Sequence, residues 1–160
     1  MLSPSDFIPQ NYTQTVEKGS FQWSAPSNIA LVKYWGKKAH QIPSNPSISL
    51  TLNACKTITK LSFNAKEDKT TFSFDLVFEG QPKEDFKPKI QKFFERIELY
   101  CPFLKQYHFS IDTQNTFPHS SGIASSASGM AALAMNIMSL EKALNQEMTD
   151  DYFYSKASFL

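Results

Sequence analysis

Two stretches of the chain concentrate residue types able to handle a charged ligand. The first is "NTFPHSSGIASSASGMAALAMNIM", Asn115 to Met138, which is half serine, glycine and alanine. It begins after a strand-like segment and runs into a long apolar-periodic one, so it is not placed as a linker would be. A phosphate cradle fits that order. The first N–H groups of a helix have no internal partners, and the helix dipole adds about half a positive charge there. Gly122 lets the backbone approach an anion, while the small side chains of Ala124, Ser125 and Ser126 keep the mouth open. Serine hydroxyls add bonds to phosphate oxygens or to Mg²⁺. No Gly-Lys-Ser/Thr follows, so this is not the Walker pattern. The plainer alternative is a helix start with serine caps and alanines for close packing.

The second stretch is "IALVKYWGKK", with Lys33 and Lys37 around Tyr34, Trp35 and Gly36. An ammonium suits phosphate oxygens or a carboxylate, and a tyrosine hydroxyl adds a directional donor. Apolar walls would strengthen both by lowering the local dielectric. Against this stands a basic surface turn anchored by an aromatic ring. His40, His108 and His119 share no ligand spacing, and His119 sits beside the first stretch. Cys55 and Cys101 match neither a metal spacing nor a disulfide framework and read as reduced, partly buried thiols.

The elements that must position these residues follow from periodicity. Phe21 and Trp23 alternate in a short strand that Pro26 should stop. Pro43 and Pro46 punctuate a loop. "SISLTLNACKTITKLSFNA" alternates through Ile48, Leu50 and Leu52, with a turn expected at Asn53 and Ala54, and again around Ile58. "TTFSFDLVFEG" alternates through Phe72, Phe74, Leu76 and Phe78. Together these predict an antiparallel sheet. "KEDK" at Lys66 to Lys69 reads as a polar turn. Ile90, Phe93, Phe94 and Ile97 recur at helical spacing up to Pro102, "YHFSIDTQN" is a further strand, and a helix starts near Ser125. Thr149 or Asp150 caps a last helix with Phe153, Ala157 and Leu160 as its stripe. That apolar end, "ASFL", is expected to meet further chain or a partner. Residues 1–19 read as an irregular arm, and no internal repeat is found.

The bulk numbers bound the class. With 160 residues, 41% hydrophobic and 14% aromatic, the chain can build one real core. A formal net charge of +1 gives no global pull toward nucleic acid or an anionic membrane, so a bound anion needs a local site. No apolar run approaches the ~20 residues that span a bilayer, and the first residues lack a secretory pattern. A cytoplasmic protein is the expectation.

Taken together, "APSNIALVKYWGKK", "NPSISLTL" and "FPHSSGIASSASGMAALA" occur in the order found in diphosphomevalonate decarboxylases, of the GHMP kinase superfamily. The resemblance spans roughly Phe21 to Leu160. It implies an α+β class: a GHMP kinase fold whose N-terminal, ribosomal protein S5 domain 2-like part is a mostly antiparallel sheet packed with helices, over residues 20–160. It implies ATP and Mg²⁺, with phosphorylation of the 3-hydroxyl of mevalonate 5-diphosphate, then loss of phosphate and CO₂ to give isopentenyl diphosphate. By match, Tyr34, Trp35, Gly36 and Lys37 line the substrate's diphosphate, and Lys33 is the catalytic charge stabiliser near the hydroxyl and carboxylate. Ser121, Gly122, Ala124, Ser125, Ser126 and Ser128 hold the nucleotide, with Ser125 and Ser126 as Mg²⁺ contacts. Ser47 and Ser49 belong to a block that shapes the site. Lys89 stands near the place of a substrate-binding arginine, without the bidentate fork.

The resemblance further implies a Gly-Ser-Gly-Ser-Ala-Cys-Arg block and an aspartate that residues 1–160 do not contain. The 160 residues are therefore expected to be inactive alone and, in the full-length protein, to form a homodimer. Neither nucleic acid nor membrane is an expected partner. The alternatives are a related GHMP kinase acting on mevalonate or its phosphate, and a non-catalytic nucleotide-binding module.

Overall fold

The inner face of one sheet changes character along its length, and that change places the site. The computed structural model of the chain describes residues 3–38 and 43–160, so His40 and part of the expected proline loop lie outside the described residues. The strands are β1 (Lys18–Val32), β2 (Ile48–Ala65), β3 (Ser73–Phe78), β4 (Gln81–Pro82) and β5 (Tyr107–Asn115). They form one five-stranded sheet in the order β1-β2-β5-β3-β4. The helices α1 (Lys87–Ile97), α2 (Ser125–Leu144) and α3 (Asp150–Phe159) complete the α+β fold.

Cross-strand pairs between β2 and β5 read Phe63 with Phe109, Leu61 with Ile111, Thr59 with Thr113 and Thr57 with Asn115. The first two pairs are core. The last two are polar and hydrogen-bonded, Thr59 Oγ1 to Thr113 Oγ1 at 2.8 Å and Thr57 Oγ1 to Asn115 Oδ1 at 2.7 Å. Against the apolar end pack Phe93, Phe94 and Ile97 of α1 and Leu133, Ile137 and Leu140 of α2. Phe94 is fully buried and meets Phe72, Phe74 and Phe109 at ring-centroid separations of 5.4–5.8 Å. Burial of each such side chain stabilises by about 1.5–3 kcal/mol.

Three sequence expectations are corrected. Pro26 does not stop its strand: β1 runs on to Val32. It is an edge strand, where a missing N–H is tolerated, and its register shifts between Pro26 and Ser27. Asn53 and Ala54 do not form a turn. They sit in a bulge of β2, where Pro26 opposes Lys56 and the next residue, Ser27, opposes Leu52. The sheet is mostly antiparallel as expected, except that β3 pairs in parallel with β5 across the α1 connection. The β5, α1 and α2 segments form as periodicity predicts.

The expected polar turn at Lys66–Lys69 is organised by Asp68, which accepts from Thr70 N at 2.8 Å, Thr70 Oγ1 at 2.6 Å and Thr71 Oγ1 at 2.8 Å. These bonds favour the carboxylate and lower its pKa from 3.8 to about 2. A depressed folded pKa contributes stability above the unfolded value that disappears as the pH falls through the folded one. The Asp68 carboxyl resonance should therefore titrate near pH 2 in the folded chain, and Thr70→Ala with Thr71→Ala should return it toward 3.8.

Behind the helices lies a cluster no apolar pattern marks. Lys156, on the stripe of α3 between Phe153 and Ala157, is 0% exposed and bonds Glu141 Oε1 of α2 at 2.5 Å and the Tyr100 carbonyl at 2.7 Å. Tyr12 OH donates to the same Glu141 oxygen at 3.2 Å. Residues 3–17 carry one short 3-10 turn, Pro4–Phe7, and otherwise cross the back of the domain without regular structure. They put Phe7 against Phe159, and the Thr13 and Gln14 amides on the Leu144 carbonyl at the end of α2. Thr149 caps α3, accepting from Tyr152 N at 3.3 Å.

Candidate functional site

The glycine-serine stretch becomes a loop between β5 and α2 with a distinctive backbone. Ser120, Gly122 and Ala124 have φ of 63°, 78° and 60°. Alternate residues in the left-handed region turn successive N–H groups to one side, the arrangement that makes an anion-binding nest. Left-handed backbone at serine and alanine is uncommon and costs free energy, which the loop's anchors must offset. Gly122 is needed for its φ, since a Cβ there would meet nothing within 4 Å. Ala124 is the N-cap of α2, and no side chain caps that end. The Ser125 and Ser126 amides thus open the helix without intrahelical partners, at the positive end of its dipole.

This loop borders a cavity of about 260 Å³. Ser125, Ser126 and Gly129 of α2 form one wall, and Thr57, Thr59, Thr113 and Asn115 form the polar floor. The other side is apolar and aromatic, with Phe78, Phe86 and His119 in a mutual three-ring cluster at centroid separations of 5.2–5.7 Å. Lys89 lines the cavity too, its Nζ 5.5 Å from the Phe86 ring. An aromatic wall beside an uncapped helix start fits a flat ring joined to phosphates.

Ser128 differs from its neighbours. It is 3% exposed, its hydroxyl lies 2.6 Å from Thr57 Oγ1 and bonds the Ser125 carbonyl at 3.0 Å, and it does not line the cavity. Its place is under the loop. Ser125 and Ser126 present hydroxyls where an Mg²⁺ ion held by phosphates could share one. No group of three or more His, Cys, Asp or Glu suited to a metal occurs among the described residues.

The "KYWGKK" turn is built differently. Asn45 Oδ1 accepts from Trp35 N at 2.7 Å, its Nδ2 donates to the Lys33 carbonyl at 3.4 Å, and Ser44 N donates to the Gly36 carbonyl at 3.1 Å. Gly36 supports this with a φ of 97°. Lys37 Nζ lies 5.8 Å from the Tyr34 ring centroid. Trp35 is 85% exposed, so it anchors nothing, and the described residues form no apolar walls around the lysines. Ile29, Leu31, Ile48 and Leu50 on the same β1–β2 extension are exposed as well, and so are Ser47 and Ser49.

Ser27 relates the two motifs. Its buried hydroxyl donates to the Ile123 carbonyl, between the left-handed Gly122 and Ala124. From there the chain runs on through the end of β1 to Lys33, six residues away and roughly 20 Å at ~3.3 Å per residue. The structure brings Ser125 and Ser126 to the cavity with Lys89 and His119, and leaves Lys33, Tyr34, Trp35, Gly36 and Lys37 on a separate extension. Sequence reasoning missed Ser27, Thr57, Thr59, Thr113 and Asn115. The signal was present as threonines at period two in "KTITK", but only the β2–β5 register shows that they face the loop.

A family model for the diphosphomevalonate decarboxylase-like N-terminal domain matches residues 25–154. The diphosphomevalonate decarboxylase of Debaryomyces hansenii is 38% identical over 139 residues, covering 79% of this chain and 35% of that protein. The crystal structure of mevalonate diphosphate decarboxylase from Staphylococcus aureus superposes with a TM-score of 0.65 at 34% identity, over 88% of this chain and 40% of that one. A structure of MDDEF in complex with MVAPP, AMPPCP and magnesium gives 0.64 at 31% identity, over 87% of this chain and 42% of that one. The chain thus spans about a third of the length of the curated relatives it matches. Among the described residues, no helix is long and apolar enough to cross a membrane.

Proposed function

This chain belongs to the diphosphomevalonate decarboxylase-like family, and from that premise we propose that it provides the nucleotide phosphate loop and part of the substrate pocket for ATP-dependent decarboxylation of mevalonate 5-diphosphate. The observation that carries the reading is the uncapped start of α2, preceded by three left-handed residues at alternate positions and opening on the aromatic cavity. ATP phosphates bind the backbone of Ser121 to Ser126, the nucleoside occupies the cavity, and Ser125 or Ser126 shares Mg²⁺. When bound, Mg²⁺ neutralises charge on the transferring phosphate.

A tertiary hydroxyl leaves poorly until phosphorylated. Positive character grows at its carbon as phosphate departs with the C–O bonding pair, and the pair from the C–CO₂ bond then forms the new C=C bond as CO₂ leaves. The protein's work is positioning and charge stabilisation rather than covalent chemistry. Lys37 and the Tyr34 hydroxyl hold the 5-diphosphate, with Trp35 and Gly36 shaping the turn, and Lys33 stabilises charge at the reacting end. These lysines sit on an extension that the described residues leave open, so substrate affinity depends on what covers it. Ser128 supports the loop from beneath. The protein that contains this chain is proposed to work as a homodimer in the cytoplasm.

The test is a titration of the 160-residue chain with Mg²⁺ and a fluorescent trinitrophenyl-ATP, alongside a CO₂-release assay with ATP and mevalonate 5-diphosphate. The expected result is saturable nucleotide binding without CO₂ release. A flat titration overturns the nucleotide site, and ATP-dependent CO₂ release overturns the expectation that these residues are inactive alone.

A further inference from the structure

We infer that Thr57 is the positioning residue that holds the phosphate loop in its left-handed shape, an inference that rests on the nucleotide reading above. The loop leaves the sheet at Asn115 and re-enters regular structure in the first turn of α2, where Ser128 lies. One hydroxyl reaches both ends. Thr57 Oγ1 donates to Asn115 Oδ1 at 2.7 Å and lies 2.6 Å from Ser128 Oγ. A hydroxyl has one proton, so with Thr57 donating to Asn115 the Ser128 proton is shared between Thr57 Oγ1 and the Ser125 carbonyl, 3.0 Å away. The Ser125 peptide is the one that begins the helix and offers the first free amides. Thr57 is therefore connected through Ser128 to the backbone that would touch phosphate.

The neighbouring anchors do less. Thr116 is tied only to the near side, with its hydroxyl accepting from Lys56 N at 2.9 Å and donating to the Ala54 carbonyl at 3.0 Å. Ser27 holds the middle through the Ile123 carbonyl. The β2 bulge at Asn53–Cys55, which the turn prediction mistook, sits immediately before this anchor point. Bulges re-aim neighbouring side chains. Here the straight segment resumes at Lys56 and sends Thr57 and Thr59 to the loop side. Thr57 is 2% exposed and sits where Asn115 and Ser128 surround its hydroxyl. Two of the three left-handed residues, Ser120 and Ala124, store unfavourable backbone energy, and a network closed at both ends is what keeps them there.

The experiment compares the 160-residue chain with Thr57→Val, Thr57→Ser and Asn115→Ala. Valine keeps the shape and deletes the hydroxyl. The probe is Mg²⁺-tripolyphosphate displacing trinitrophenyl-ATP, because tripolyphosphate has no nucleoside and reports on the loop alone. Thr57→Val should weaken tripolyphosphate by about tenfold, the scale of one lost hydrogen bond in a closed network. Thr57→Ser should stay within about twofold of the parent. Asn115→Ala, which removes the acceptor of the Thr57 hydroxyl, should also weaken binding by about tenfold and replaces Thr57→Val in the test if the valine variant fails to fold. Amide exchange at residues 117–126, measured without ligand, should speed up in Thr57→Val. Unchanged exchange and unchanged tripolyphosphate affinity in that variant overturn the positioning role while leaving the nucleotide site standing. A parent chain that binds neither probe overturns the nucleotide reading, and the ligand-free exchange rates then decide the role of Thr57 by themselves.

Discussion

Lys156→Met should destabilise the chain by about 3–5 kcal/mol, the usual cost of stranding one member of a buried ion pair. Lys156 and Glu141 are 0% and 2% exposed, and Glu141 Oε2 has no hydrogen-bond partner among the described residues even with the lysine present. Burial pushes the Glu141 carboxyl above its ordinary pKa, and Lys156 and the Tyr12 hydroxyl oppose that rise. Without the lysine the carboxyl would rise further and fold best when protonated. The sign follows: a raised folded pKa favours the fold below the unfolded value and loses that advantage as pH rises through the folded one. The deficit of Lys156→Met should thus shrink between pH 8 and pH 5 in urea denaturation. Glu141→Gln added to Lys156→Met should recover most of it, because the stranded charge is gone and Tyr12 keeps an acceptor. A single-variant loss under about 1 kcal/mol would show that the pair is dispensable.

Gly129→Leu should reduce trinitrophenyl-ATP affinity by about a hundredfold or more, roughly 2.8 kcal/mol at 1.4 kcal/mol per factor of ten, while leaving the fold as stable as before. Gly129 faces the cavity from α2, and a Cβ there would meet only Thr57 Cγ2, at 3.9 Å. A first carbon is therefore accepted, and a helix interior prefers leucine to glycine by several tenths of a kcal/mol. The remaining carbons enter the space assigned to the nucleoside. Gly129→Ala is the control: it should bind nucleotide and gain about 0.5–1 kcal/mol of stability. Tripolyphosphate should bind Gly129→Leu within a few-fold of the parent, since the loop is untouched. A leucine variant that binds the nucleotide normally would place the nucleoside elsewhere.

How much of this was legible in the sequence depends on whether the deciding physics was local. The β5 strand, α1 and the start of α2 follow from period-two and period-3.6 patterns bounded by proline and small residues, and they form where expected. The glycine-serine loop between β5 and α2 was legible as a break between strand and helix because its composition is a property of neighbouring residues. Pro26 and Asn53–Ala54 misled for a shared reason: both are breakers in isolation, yet an edge position and a bulge absorb them. The parallel pairing of β3 with β5 depends on how α1 crosses the sheet, which neither strand's pattern encodes. Thr57 and Asn115 lie 58 positions apart, and only the sheet register makes them partners. Lys156 interrupts an apolar stripe, and a charge there reads as a solvated edge until Glu141 is placed opposite. The "KYWGKK" turn was legible as a motif, while the separation of its lysines from the loop was not.

The residues that the family model matches, 25–154, and the residues that pack together are two different sets. Tyr12 lies before that interval and Lys156 after it, yet both terminate on Glu141 inside it. A unit cut by family resemblance would keep the acid and discard the phenol and the ammonium that accompany it.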